Sequence, residues 1–173
     1  MADIAEPTPA DQPPAGSQVD RSEQPEPIAA TQPSSGGSRR GQVKRPSRTR
    51  TRRRAFEVIF EALQRGEDLL QVAAERDLPP YGLELVQGVA ANRVAIAEWL
   101  DTYSDGWPTE RMPAVDLAVL HLGAFEVVFE DDVPDAVILK DCADLVGELS
   151  TDKSPGFVSG LLGRLSNIKT TLR

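Results

Sequence analysis

From position 55 onward, apolar residues return at three- and four-residue steps, the period of helices that bury one face. The pattern predicts a first helix from about Thr51 to Arg65, with Phe56, Ile59, Phe60 and Leu63 inward and Gly66 as its stop. A short helix follows, opened by Asp68 as N-cap, with Leu69, Val72 and Ala73 inward; Pro79-Pro80 breaks it. A long helix is predicted over Tyr81 to Tyr103, carrying Leu85, Val89, Ile96, Trp99 and Leu100 and ended by Ser104-Asp105-Gly106. The fourth, roughly Met112 to Glu130, has Pro113 near its start and is apolar almost all round, which predicts a central position. Val133-Pro134 opens a fifth, with Val137, Ile138, Cys142, Leu145 and Leu149 on one face. Ser154-Pro155 reads as an N-cap followed by a first-turn proline for the sixth, whose inward stripe is Phe157, Leu161, Leu162, Leu165 and Ile168. There is no period-two stretch and no internal repeat. The expectation is an all-α bundle of about six to seven helices over residues 48–168.

Residues 1–47 break this pattern. They are rich in Pro, Gly, Ser, Gln and charge, with few aliphatic residues and no aromatic one. Such a segment cannot bury enough apolar surface to offset the entropy of ordering, so a disordered N-terminal extension is expected. The net charge of −8 and pI of about 4.7 argue, as totals, against a nucleic-acid ligand. The distribution reverses that argument. Residues 1–38 carry −5, residues 39–54 hold nine basic side chains and no acidic one, and residues 55–173 carry −12. A basic arm thus stands between an acidic tail and an acidic body, and such asymmetry guides partner choice better than the sum. The tail's acids are expected to fold back on the arm as a weak, salt-screened brake on RNA binding.

The chemistry of enzymes is missing. The single histidine, His121, lies on the central apolar helix and reads as structural, and one Cys with one His makes no zinc site. Gly156 and Gly160 lack the strand and lysine of a phosphate-cradling loop. Cys142 sits on an apolar stripe and reads as a small core residue. The expectation is a protein that is not an enzyme and takes no cofactor. One cysteine, no signal peptide and no apolar run of about 18 residues point to a cytoplasmic chain without a membrane span.

Three features carry binding chemistry. The arginine run can displace counterions from a nucleic-acid backbone; its bland reading is a solvated charge run or a localisation signal. Glu126 falls inside an apolar sector of its helix, between Val115 and Val119 on the wheel, so it needs an ion pair, with Arg93 or Arg111, or a docking partner. The segment STDKSPGFVSG, Ser150 to Gly160, delivers a helix N-terminus with Lys153 and Ser154 beside it and Phe157 in its first turn. Phe157 either stacks on an unpaired base or packs in the core.

In order along the chain, RRAFEVIFEALQRG (53–66), YGLELVQGVAANRVAI (81–96), WPTERMPAVDLAVLHLGAFE (107–126), VPDAV (133–137) and LSTDKSPGFVSGLLGRL (149–165) resemble the NusB family of transcription antitermination factors. The resemblance implies two packed helical subdomains. It implies binding to boxA single-stranded RNA of ribosomal RNA operon leaders, together with the small-subunit ribosomal protein that doubles as NusE. In that assembly RNA polymerase passes terminators; a homodimer is among the states left open. By the same resemblance Arg48, Arg52, Arg53 and Arg54 fall in the family's RNA-contacting stretch, and Phe157 matches its RNA-proximal Phe. Phe60 and Glu126 match positions at or near the NusE side. Two departures stand out: Lys140-Asp141 where Asn-Glu is common, and Ser159 where the family has Asn. They motivate an alternative, a helical protein-protein adaptor that has lost RNA binding. A third reading, the NusB-like domain of ribosomal RNA methyltransferases, requires a fused cofactor-binding domain that these residues do not contain.

Overall fold

Ser47 caps the first helix by accepting the Arg50 backbone N–H at its hydroxyl (3.3 Å). The computed structural model describes residues 47–173; the expected tail disorder, the tail–arm contact and Arg39 to Arg45 fall outside them. The described residues form seven α-helices and no strand: α1 (Arg48–Arg65), α2 (Leu69–Ala74), α3 (Pro80–Ala91), α4 (Arg93–Tyr103), α5 (Ala114–Phe129), α6 (Asp135–Leu149) and α7 (Ser154–Leu172), with a 3-10 turn at Thr109–Arg111 before α5. None of these helices is long and apolar enough to cross a membrane.

Local chemistry sets the boundaries. Gly66 takes a left-handed conformation (φ 67°) and donates its N–H to Ala62, closing α1. Asp68 accepts the N–H groups of Leu70 and Gln71 and opens α2. Pro80 occupies the first turn of α3, where its missing N–H leaves nothing unsatisfied.

The helix expected over 81–103 is two helices. At Asn92 the backbone leaves helical geometry (φ −109°, ψ 13°), and its side-chain amide donates to the Gly88 carbonyl at 2.8 Å. That carbonyl also receives the Asn92 backbone N–H at 3.1 Å, so the side chain competes at a shared acceptor and the axis breaks. The sixth expected helix, α7, begins at Ser154, but Ser154 does not cap it. Its hydroxyl is turned away to Asp116, and Lys153 holds the cap position without a side-chain bond. Val137 and Leu149, expected inward, are 45% and 43% exposed.

The central position expected for the fourth helix holds for α5. Every residue from Ala118 to Val128 is buried, and α1, α3, α4, α6 and α7 all pack against it. The α1–α3 group lies on one flank and the α6–α7 pair on another, with α4 touching both α5 and α7. Two glycines permit close approach. A Cβ on Gly88 would lie 2.0 Å from the Phe125 ring, and one on Gly123 would lie 2.6 Å from a Leu162 methyl and 3.0 Å from the Cys142 sulfur. The two groups share one continuous core.

Candidate nucleic-acid interface

The start of α1 presents arginines in several directions, because successive helical residues turn by about 100°. Arg48, Arg50 and Arg53 are exposed and Arg54 is half-buried. Arg48 lies over the Tyr81 ring, 5.1 Å from its centroid, and donates to the Asp132 carbonyl at 3.3 Å. Arg53 pairs with Glu148 of α6 at 2.6 Å, with both partners largely in water. Such an exposed pair is worth roughly 0–1 kcal/mol, so a phosphate can take the carboxylate's place at little cost. Arg54 donates to the Asp77 carbonyl and ties α1 to the segment ahead of α3.

Arg52 points the other way. It is 2% exposed and grips Glu126, itself fully buried, through two bonds: Nε to Oε2 at 2.6 Å and Nη2 to Oε1 at 2.9 Å. Its remaining Nη1 meets Asp141 of α6, whose carboxylate also accepts the Thr49 hydroxyl at 3.0 Å. Tyr81 donates its hydroxyl to Glu126 Oε1 at 2.6 Å. Burial alone would lower the Arg52 pKa, but the bonds and charge of Glu126 outweigh it and hold the pKa above the ordinary value. Burial and the Glu126 hydrogen bond push the Tyr81 phenol above its usual range.

This placement corrects two expectations. The cation that pairs with Glu126 is Arg52, not Arg93 or Arg111. In this conformation neither Arg52 nor Glu126 presents a side-chain atom for direct contact with RNA or a protein. Breaking such a pair leaves one buried charge uncompensated, at about 3–5 kcal/mol. Its role is to lock α1 onto α5 and α6, and through Tyr81 to seat Arg48. Sequence reasoning missed Tyr81 and Asp141. It also missed Arg52 as a core residue, although extending the stripe of Phe56 and Ile59 back one turn reaches position 52.

The α6–α7 loop lies beside this helix start, because Glu148 is near the end of α6 and a Cβ on neighbouring Gly147 would touch Pro155 at 3.4 Å. Lys153 is exposed there. Ser154 is 2% exposed: its hydroxyl donates to Asp116 Oδ2 at 2.7 Å and accepts the Thr151 N–H at 3.2 Å. Ser154 therefore shapes the loop rather than facing a ligand. Asp116 was not anticipated, though a carboxylate at the start of an apolar helix carried the same signal as Glu126. Phe157 is half-buried, with its ring 5.5 Å from that of Trp107 and tilted by 33°. Phe60 is half-buried beside Phe56, centroids 5.8 Å apart, on another part of α1.

Other chemically notable groups are quiet. Cys142 is fully buried, and burial pushes its thiol above the ordinary range, away from the reactive thiolate. His121 Nδ1 lies 2.9 Å from the Leu117 carbonyl, so that nitrogen carries the proton; burial lowers its pKa. Among the described residues no three His, Cys, Asp or Glu side chains are grouped to hold a metal.

Comparison with known proteins matches this architecture. The family model described as "NusB family" matches residues 49–167. The transcription antitermination protein NusB of Arthrobacter sp. (strain FB24) is 45% identical over 132 residues, covering 73% of this chain and 97% of that protein. The solved structure of T. maritima NusB superposes with a TM-score of 0.66 at 28% identity, covering 70% of this chain and 92% of the other. A structure of the antitermination factors NusB and NusE in complex with double-stranded RNA has a TM-score of 0.60 at 23% identity, covering 69% of this chain and 96% of the other, a likeness of fold.

Proposed function

The chain belongs to the NusB family, and on that premise we propose that it is an RNA-binding transcription antitermination factor. It binds boxA single-stranded RNA of ribosomal RNA operons, acts together with NusE, and enters the assembly that lets RNA polymerase read through terminators. The observation that carries this reading is the set of exposed guanidiniums at the start of α1, Arg48, Arg50 and Arg53, which in sequence continues the Arg39–Arg45 run, with Lys153 exposed in the α6–α7 loop. These cations emerge from an otherwise anionic body, so they concentrate attraction for a polyanion at one end of a helix. The antitermination name carried by the family's relatives, and the solved assembly of NusB and NusE with double-stranded RNA, support an RNA ligand and a NusE partner.

The residues divide by role. Arg48, Arg53, Arg54 and Lys153 contact phosphates, and Phe157 contributes to base contact. Arg52 and Ser154 act from inside, the first by fixing α1 and the second by fixing the α6–α7 loop. Phe60 offers its open edge to the protein partner, while Glu126 acts from inside the fold by holding Arg52 and Tyr81.

A mobility-shift titration against salt tests the proposal. If about five phosphates are neutralised, log affinity should fall against log salt with a slope of about −3.5. Replacing Arg48, Arg50, Arg53 and Arg54 with Gln, while keeping Arg52, should weaken binding and flatten that slope. A flat response in the unaltered chain sinks the reading, and capture of NusE without any RNA shift would favour the protein-only adaptor.

A further inference from the structure

Among the described residues Trp107 is the most exposed aromatic side chain, at 48%. It is also firmly placed. Asp105 and Gly106 both take positive φ (52° and 77°), and the Trp107 N–H returns to the Ser104 carbonyl at 3.2 Å, closing a tight turn that lifts the indole off the end of α4. One side of the indole rests on Phe157. Phe157 also borders an open cleft of about 220 Å³ that it shares with Tyr103, Leu161, Arg164, Gly156 and Gly160 and that the indole itself does not line. Those glycines are four apart on α7 and so share a face, and a Cβ built on either meets no atom within 4 Å. At the cleft's edge Arg164 pairs with Asp105 and donates to the Tyr103 carbonyl at 3.0 Å. Donors and an acceptor therefore stand together beside an aromatic wall.

The geometry points to a nucleobase-stacking site in which the Trp107 indole, backed by Phe157, receives one unpaired base of bound RNA, with the adjoining nucleotide lying in the cleft over Gly156 and Gly160. This inference rests on the RNA-binding reading and adds a residue and a ligand class to it. A flat π-surface backed by a second ring and half in water suits a base, since every base has a π-face, and the neighbouring ion pair can meet a polar edge of the RNA. Continuity with the arm supports RNA over a polypeptide as occupant. Phe157 lies in the first turn of α7, just past Lys153, and the loop before it begins next to Glu148, the partner of Arg53. An RNA strand held by the arm thus leaves the arginines at the end of the molecule where α7 begins.

The test uses the full chain and a single-stranded boxA-like oligoribonucleotide, read by both mobility shift and tryptophan fluorescence. Trp107→Ala should weaken binding about tenfold, the size of one base–aromatic stack, while leaving the salt slope unchanged because no phosphate contact is lost. Fluorescence quenching by RNA should survive in Trp99→Phe and vanish in Trp107→Ala. Gly160→Leu places a side chain in the cleft from a position where a Cβ meets no atom within 4 Å, and it should weaken binding similarly with the melting temperature maintained. Normal affinity in both Trp107→Ala and Gly160→Leu overturns the inference and leaves the proposed function standing. Loss of NusE capture with RNA affinity intact also overturns it, in favour of a protein contact. No RNA binding by the unaltered chain removes both.

Discussion

Arg52 and Arg53 are adjacent and chemically identical, yet one is 2% exposed in a bidentate grip on Glu126 and the other shares a solvated pair with Glu148. The physical difference is dielectric. An exposed pair is screened by water, whereas a buried one has only its partner to compensate for lost hydration. Glu126→Ala should therefore destabilise the fold by about 3–5 kcal/mol in urea titrations, while Arg53→Gln should change stability by less than about 1 kcal/mol and weaken RNA binding. Arg52→Lys should fail to restore stability, because an ammonium cannot reproduce the two parallel bonds. His121 gives a pH prediction with a definite sign. Its folded pKa is lowered from 6.5 by burial, so above about pH 6.5 both states are neutral and no penalty exists. As pH falls below that value the unfolded chain takes up a proton that the folded chain resists, and stability drops until the folded pKa is passed. Urea midpoints measured from pH 7.5 to 5 should show this decline, and His121→Gln should flatten its His121-dependent part. At this scale the sequence was half legible. Glu126 stood out as a carboxylate among apolar residues, but its partner was hidden because nine cations within sixteen residues look alike until the helical face of each is traced.

At the scale of helices, spacing between axes decides what glycine is worth. Gly88 and Gly163 both sit inside helices, where alanine would ordinarily gain about 0.5–1 kcal/mol. A Cβ at Gly163 meets only a Leu139 methyl at 3.7 Å, an ordinary contact, while one at Gly88 would enter the Phe125 ring. Gly163→Ala should raise the urea midpoint, and Gly88→Ala should lower stability by about 1–3 kcal/mol despite the better propensity. The break at Asn92 belongs here as well. A three- and four-residue period continues straight through it, so hydrophobic patterning sees one helix. The division between α3 and α4 falls at Asn92, whose side-chain amide bonds the Gly88 carbonyl. Caps were legible where the side chain bonds its own backbone, as at Asp68. They were misleading where a tertiary acceptor such as Asp116 takes the hydroxyl instead.

For the molecule as a whole, charge segregation matters more than total charge. A body carrying −12 repels RNA at long range, so capture depends on the basic run and should be unusually sensitive to salt. The order of helices and the centrality of α5 could be read from periodicity alone, since an all-round apolar helix has only one place to go. The direction in which each candidate contact faces could not. That depends on helix rotation within the bundle, which sends Ser154 inward, and on the turn after α4, which leaves Trp107 on the surface.

The inward turn of Arg52 has a consequence for genetics. In a library randomising codons 48 to 54, selection for soluble protein alone should purge changes at 52, while changes at 50 and 53 should disappear only when the screen demands a working transcript. Two kinds of essentiality would then alternate between neighbouring letters of one basic run, and an allele that erased the run wholesale would confuse loss of grip with loss of the protein.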